Sequence, residues 1–297
     1  MIRFIGLFFL LGFALAPAFQ KAILPGEKET GESSSSSNDL LHDILEKSAA
    51  YCDRLSRAAL DFVCFEKIRE EIYSYALPSS GRYVVVGEGE GPMSLEVRAR
   101  RFTKTNNLIY DYQMIRQKGE MQESRTLIEE NGVRKEEKNA PLKIKRFYSE
   151  RPIFGPVGFL SKEWHDLYNY EIIDDDKVES RRAYVIEVRP KTPIENKPNY
   201  GKIWVDKEDS SILRIDVEQE SLPGFEKIRQ EAEKEKLTPH FKTTHIYGVE
   251  KNGLRFPSRT VFEEEYSRVK AGKFKVSKTT IRYENYRFFT VDTEVKY

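Results

Sequence analysis

The chain has 297 residues, of which 39% are hydrophobic and 12% aromatic, enough to close a sizeable core, so a wholly disordered chain is excluded. Lys and Arg number 49 against 48 Asp and Glu, and the two signs are interspersed, which gives a formal net charge of +1. A protein that binds nucleic acid through an electrostatic surface carries a basic excess, so we expect no nucleic-acid partner.

The N-terminus has the layout of a cleavable secretory signal peptide. A positive head with Arg3 precedes an apolar run over residues 4–15, and small residues follow at Ala16 and Ala18. The run is shorter than the roughly 20 residues that a membrane-spanning helix needs, which disfavours an uncleaved anchor. We therefore expect residues 1–19 to be removed and the mature protein to be exported, with no integral membrane segment.

The next segment changes from a polar leader to an amphipathic helix. Residues 20–38 contain Pro25 and five consecutive serines, which predicts a flexible Ser-rich leader. Asn38 or Asp39 can then cap a helix, because apolar residues recur at close to helical spacing as far as residue 59. These residues are Leu40, Leu41, Ile44, Leu45, Ala49, Leu55 and Ala59.

From Asp61 to residue 75 the apolar period becomes two, which favours a strand, with a continuing helix as the alternative. This boundary decides the geometry of Cys52 and Cys64, the two cysteines of the chain. On one helix they would lie about 18 Å apart, beyond the roughly 7 Å that a disulfide spans. A turn between helix and strand lets them meet, so in an exported protein we expect a disulfide. Their spacing matches no redox motif, which disfavours catalytic thiols.

The chain beyond residue 81 alternates between strand-like runs and turn residues. Short hairpin-like links such as Asn131-Gly132 cannot make parallel crossovers, so the sheet should be mainly antiparallel. Two helices are expected to interrupt it, one after Ser161 and a polar one over residues 223–237. The predicted strands are residues 83–86, 95–102, 108–115, 125–129, 184–188, 203–205, 212–217, 242–249, 260–266, 274–281 and 283–291.

Aromatic and aliphatic side chains are the more informative functional signal. In a strongly curved sheet with one face covered by helices, such residues either fill the core or line an apolar cavity. The set is Phe154, Val157, Phe159, Leu160, Trp164, Leu167, Tyr168, Trp204, Leu222, Phe225 and Phe256.

Signatures of catalysis and metal binding are missing from the sequence. Neither H-E-x-x-H nor C-x-x-C occurs, and His240 and His245 should face opposite sides of a strand because they are five residues apart. The acidic runs 174–176, expected in a turn, and 263–265, expected on a strand, are interpreted as solvated charge. We expect no catalytic residue, metal or cofactor.

Two segments carry a family resemblance. Residues 200–206 (YGKIWVD) followed by 212–215 (ILRI), together with the hairpin-like residues 247–258, resemble the periplasmic lipoprotein-carrier superfamily (LolA/LolB-like, outer-membrane lipoprotein-sorting proteins). The resemblance implies an α+β fold that is mainly β, in which an antiparallel sheet forms an unclosed half-barrel over residues 39–297. An N-terminal helix and short helices would cover its concave side. The implied lid residues are Phe159, Leu160, Trp164, Leu167 and Tyr168, with Trp204 in the sheet.

The leading hypothesis is a noncatalytic periplasmic envelope protein that shelters a lipid or a lipoprotein acyl chain in an apolar half-barrel cavity. The alternative is an interaction or scaffold module, whose concave face is filled by its own side chains and whose charged surface meets another envelope protein. An enzyme is the third and least favoured class, because the residues offer no catalytic constellation.

Overall fold

A computed structural model describes residues 34–57, 61–76, 100–117, 120–145, 152–192, 199–268 and 272–289. The expected signal peptide and the predicted strand at 83–86 lie outside these residues, as does most of the predicted leader.

The described residues form three α-helices, three short 3-10 turns and thirteen strands. The helices are α1 (Ser34–Arg57), α2 (Val157–Leu160) and α3 (Phe225–Lys234), and the 3-10 turns are Pro152–Phe154, Lys162–Trp164 and Gln219–Ser221. The strands are β1 (Asp61–Ala76), β2 (Arg100–Gln117), β3 (Glu120–Glu130), β4 (Val133–Lys138), β5 (Tyr168–Val178), β6 (Arg181–Pro190), β7 (Gly201–Asp206), β8 (Ile212–Val217), β9 (Leu237–Ile246), β10 (Val249–Lys251), β11 (Leu254–Phe256), β12 (Arg259–Arg268) and β13 (Gly272–Phe289).

Eleven strands form one antiparallel sheet in the order β4-β3-β2-β1-β13-β12-β9-β8-β7-β6-β5. The sheet does not close, because β4 and β5 are its two edges among the described residues. Strands β10 and β11 form a separate two-stranded hairpin. The predicted class, a mainly β fold with an unclosed antiparallel half-barrel, is therefore confirmed.

Strand β1 shows why the segment after residue 60 is not a helix. Phe62 and Ile68 are buried, whereas Lys67 and Arg69 between and beside them are more exposed, as the two-residue period of a strand requires. β1 pairs with β2 on one side and with β13 on the other, so it lies well inside the sheet. The alternative of a continuing helix is excluded.

Helix α1 packs its apolar stripe against the concave face of the sheet. Ile44, Tyr51, Cys52 and Leu55 recur at helical spacing and are buried in one core cluster with residues of β1, β2, β6 and β7. The helix begins at Ser34, which is four residues before the expected cap at Asn38.

Two other local expectations are corrected. The segment after Ser161 is a 3-10 turn rather than a helix, its Ser161 side chain makes no cap hydrogen bond, and Tyr168 already begins β5. The acidic run 174–176 lies within β5 rather than in a turn. A register shift between Ile172 and Asp174 interrupts the alternation there, which hides the strand period from the sequence.

The structure explains why the motif at residues 200–206 contains a glycine, Gly201. It begins β7 with a φ of +155°, and a Cβ atom at this position would lie 2.1 Å from the carbonyl oxygen of Asp216 on β8. Since side-chain carbons do not approach backbone that closely, the β7–β8 pairing requires glycine here.

Candidate functional site

Residues 152–164 follow β4 and precede β5 in the chain, and they lie over the concave face of the sheet. We call them the lid. The lid contains two 3-10 turns and α2. Helix α1 packs directly on it, with the Cys52 Sγ atom 3.5 Å from the carbonyl oxygen of Pro156. An ion pair between Glu46 and Lys162 joins the same two elements at the other end. The lid and α1 therefore form one cover.

The structure brings together most of the predicted lid residues. Phe159, Leu160 and Tyr168 are buried in the main core cluster, and Phe154 and Trp164 pack against it while partly exposed. Leu167 is 42% exposed and lies at the rim.

Two aromatic contacts fix the lid to β5. The Tyr170 hydroxyl donates a hydrogen bond to the Phe159 carbonyl oxygen at 2.7 Å. The Trp164 and Tyr168 rings meet edge to face with centroids 6.2 Å apart. These contacts place the lid over the edge strand of the sheet.

Phe225 belongs to a different part of the concave face. It is buried on α3 and meets Phe241 of β9, with ring centroids 5.7 Å apart. Helix α3 packs against β9, so Phe225 covers another stretch of the sheet than the lid residues do.

Trp204, predicted to face the cavity, is placed on the opposite face of the sheet. Its neighbours Ile203 and Val205 belong to the concave cluster, and strand alternation turns Trp204 away from them. The Trp204 Nε1 atom donates to Asp176 at 2.9 Å, and the Arg214 guanidinium stacks 4.1 Å from the ring centroid. The prediction that Trp204 lines the hollow is therefore wrong.

The predicted disulfide between Cys52 and Cys64 is also wrong, since both cysteines are free and buried. Cys52 points from α1 towards Pro156 of the lid, whereas Cys64 on β1 shares a hydrogen bond with Tyr286. The two thiols thus have different neighbours. Burial raises the pKa of both thiols, which opposes a nucleophilic role.

Sequence reasoning missed a buried ion cluster on the concave face. The Arg125 Nε atom lies 2.7 Å from Glu66 Oε2, with side-chain exposures of 8% and 0%. Arg125 also lies 3.5 Å from Glu123 and its guanidinium is 4.6 Å from the Tyr112 ring centroid. The Tyr112 hydroxyl donates to Glu123 at 2.7 Å. The hint in the sequence was Glu66, because this charged residue falls at a position on the buried face of β1.

An aromatic cluster occupies the concave face beside α1. Phe62 of β1 meets Phe256 of β11 with ring centroids 5.7 Å apart, and Phe256 meets Phe288 of β13 at 4.7 Å. Tyr286 stacks on Phe288 and donates a hydrogen bond to the Pro257 carbonyl oxygen. Side chains of the chain itself therefore fill this part of the hollow.

The two strand histidines face opposite sides, as predicted. His245 is buried and hydrogen-bonded to Thr260, and burial lowers its pKa to about 4. His240 is partly exposed and contacts Ser267. No group of three His, Cys, Asp or Glu side chains within the described part of the chain is arranged to hold a metal ion. Among the same residues, no helix is both long and apolar enough to cross a membrane.

No protein-family model matches the chain, and a search of curated proteins found no significant match. Solved structures do show similarity. They include a LolA superfamily protein, NE2245, from Nitrosomonas europaea (12% identical, TM-score 0.29, covering 86% of this chain and 96% of the other). A DUF1329 family protein from Desulfovibrio piger is 13% identical (TM-score 0.32, 86% and 94%).

A third similar structure is a putative outer membrane lipoprotein-sorting protein domain from Vibrio parahaemolyticus, 10% identical (TM-score 0.32, 85% and 93%). The matches include the superfamily that the sequence resembles.

Proposed function

We propose that this chain is an exported, noncatalytic binding protein of the periplasm, which shelters an acyl chain of a lipid or lipoprotein between the lid and the concave face of its sheet. The observation that carries the proposal is the cover formed by α1 and the lid over an apolar sheet face. Phe159 and Leu160 of the lid and Tyr168 of β5 are buried in the core beneath the cover's surface, and Phe154 and Trp164 of the lid are partly exposed.

The contacts that hold the cover together differ from those that hold the sheet together. Neighbouring strands are joined by ladders of backbone hydrogen bonds, whereas α1 and the lid are joined by side-chain contacts, those of Cys52 with the Pro156 carbonyl oxygen and of Glu46 with Lys162. Side-chain contacts between α1 and the lid can open without breaking a ladder. An acyl chain that enters here is removed from water, which is favourable by about 25 cal/mol per Å² of its apolar surface buried.

Two other features of the concave face limit where such a ligand lies. The ion cluster around Arg125 makes the region over β1, β2 and β3 polar, and the aromatic cluster around Phe62 and Phe256 fills the region beside it. The acyl chain is therefore assigned to the lid end, beside β5 and β6, rather than to the whole hollow.

The alternative function, an interaction module that binds no lipid and meets another envelope protein, is favoured by one observation. Phe62, Phe256, Tyr286 and Phe288 pack with ring centroids 4.7–6.1 Å apart, so a substantial part of the concave face is already filled. If the lid end is filled in the same way, the protein has no room for an acyl chain.

The test is to express the chain with its N-terminal segment, purify the exported protein, extract it with organic solvent and identify lipids by mass spectrometry. We expect about one acyl lipid per protein molecule. Trp164→Asp and Leu167→Asp should reduce this amount severalfold, because the first places a charge in the lid and the second places one beside it, where the ligand is apolar.

The matched control is Ile173→Asp on the edge strand β5. Ile173 is 39% exposed and Leu167 is 42% exposed, so both substitutions are expected to leave the fold intact. Lipid retained in the Ile173 variant and lost in the Leu167 variant supports the proposal. Absence of lipid from the unmodified protein, with no fluorescence response to an acyl probe, favours the interaction module.

A further inference from the structure

Two buried polar atoms at the cover have no hydrogen-bond partner among the residues that the structure describes. One is the Oγ atom of Ser48, whose residue is 0% exposed on the inner face of α1. The other is the Nε1 atom of Trp164 in the lid. A buried donor left without an acceptor is destabilising, so each such group in a folded protein calls for an explanation.

The packing of α1 on the lid places Ser48 at their interface. Cys52, one helical turn after Ser48 and on the same face, contacts Pro156 at the start of α2. Glu46, two residues before Ser48, pairs with Lys162 at the end of the lid. Along the axis of α1, Ser48 therefore lies between the two residues that contact the lid and on the face that carries Cys52, and Trp164 follows Lys162 by two residues in the lid.

The chemistry of the two groups defines what they can bind. The Trp164 indole only donates a hydrogen bond, and the Ser48 hydroxyl can donate one, so the missing partner is an acceptor. The nearby basic groups are already engaged: Lys162 pairs with Glu46, and the His165 Nε2 atom lies 3.1 Å from the Leu160 carbonyl oxygen. Burial also lowers the pKa of His165, which favours its neutral form. An uncharged acceptor suits this site better than an anion.

We propose that Ser48 and Trp164 bind the carbonyl oxygen of an acyl ester, so that the site recognises an esterified chain rather than hydrocarbon alone. This inference rests on the proposed function, since it names the polar end of the ligand that the lid shelters. The carbonyl accepts both hydrogen bonds, and the apolar chain runs from it along the concave face.

The experiment compares two soluble probes that differ only in this carbonyl. They are lysophosphatidylethanolamine with an ester-linked sixteen-carbon chain and its ether-linked analogue, measured by displacement of a fluorescent acyl probe. The unmodified protein should bind the ester about tenfold more tightly than the ether, the factor expected for two net hydrogen bonds of modest strength. Ser48→Ala and Trp164→Phe should each reduce this preference to about threefold or less.

Trp204→Phe is the matched control, because it removes an indole that donates to Asp176 on the other face of the sheet. It should keep the full preference for the ester. Equal affinity of the unmodified protein for the two probes overturns the inference while leaving the proposed function standing. Failure to bind either probe refutes the proposed function itself. An ester preference that survives both the Ser48 and the Trp164 substitutions also overturns the assignment.

Discussion

The buried ion cluster gives the sharpest prediction about stability. Arg125 lies between Glu66 and Glu123, and the Glu66 side chain is 0% exposed. Substitution Arg125→Met leaves that carboxylate without its partner in a site that water does not reach. Breaking a buried pair in this way costs about 3–5 kcal/mol. We therefore expect the free energy of unfolding, measured by urea denaturation at pH 7, to fall by that amount.

A double substitution and a surface pair serve as controls. Replacing both partners, as in Glu66→Leu with Arg125→Met, should recover much of the loss because no buried charge remains. Arg57→Met removes an exposed pair with Asp53, whose side chains are 78% and 63% exposed, and should cost less than about 0.5 kcal/mol. If Arg125→Met costs no more than Arg57→Met, the cluster is solvated and the reasoning is refuted.

Three further predictions concern the fold. Gly201→Ala should lower the free energy of unfolding by at least about 2 kcal/mol, because its Cβ would meet the Asp216 carbonyl. Gly253→Ala, at a φ of +71° with open space around it, should lower it by about 1 kcal/mol. Equal losses in the two variants would contradict the steric argument. The folded-state pKa of His245, about 4, lies below its ordinary value. The stability that the neutral ring contributes is therefore complete above about pH 6.5 and is lost as the pH falls towards 4, by up to about 3 kcal/mol. His245→Gln should flatten this part of the plot of stability against pH, and an unchanged plot would exclude the histidine as its source. Both cysteines should react with an alkylating agent after denaturation without reductant, and a product with no alkylated thiol would restore the disulfide.

Much of the fold follows from local sequence pattern. The change of period at Asp61 predicts the end of a helix and the start of β1, and the structure has both. The hairpin turn at Asn131-Gly132 predicts antiparallel pairing, which is also present. These features are encoded within a few residues, so a single sequence suffices to find them.

Tertiary placement was harder to predict. Trp204 lies on a strand whose two faces are both partly buried, so its apolar character alone did not tell which side it faces. The partners of Cys52 and Cys64 come from residues 156 and 286, far along the chain, and loop distance alone wrongly favoured pairing them with each other. The partner of Glu66 is 59 residues away, so no local pattern announces the ion cluster.

The candidate site was found only in outline. The apolar lid residues follow from composition, and most of them meet at the concave face. Ser48 was not singled out, because a serine within a helix is common and its burial depends on how α1 packs against the lid.

Quenching of single-tryptophan proteins tests the central claim most directly. The chain has two tryptophans, Trp164 at the lid and Trp204 on the opposite face. Trp204→Phe leaves the first as the sole fluorophore, and Trp164→Phe leaves the second. A lysophospholipid with a brominated acyl chain, which quenches indoles only at contact, should quench Trp164 strongly and leave Trp204 unaffected. Equal quenching of the two, or none at saturating probe, would contradict an acyl chain bound beneath the lid.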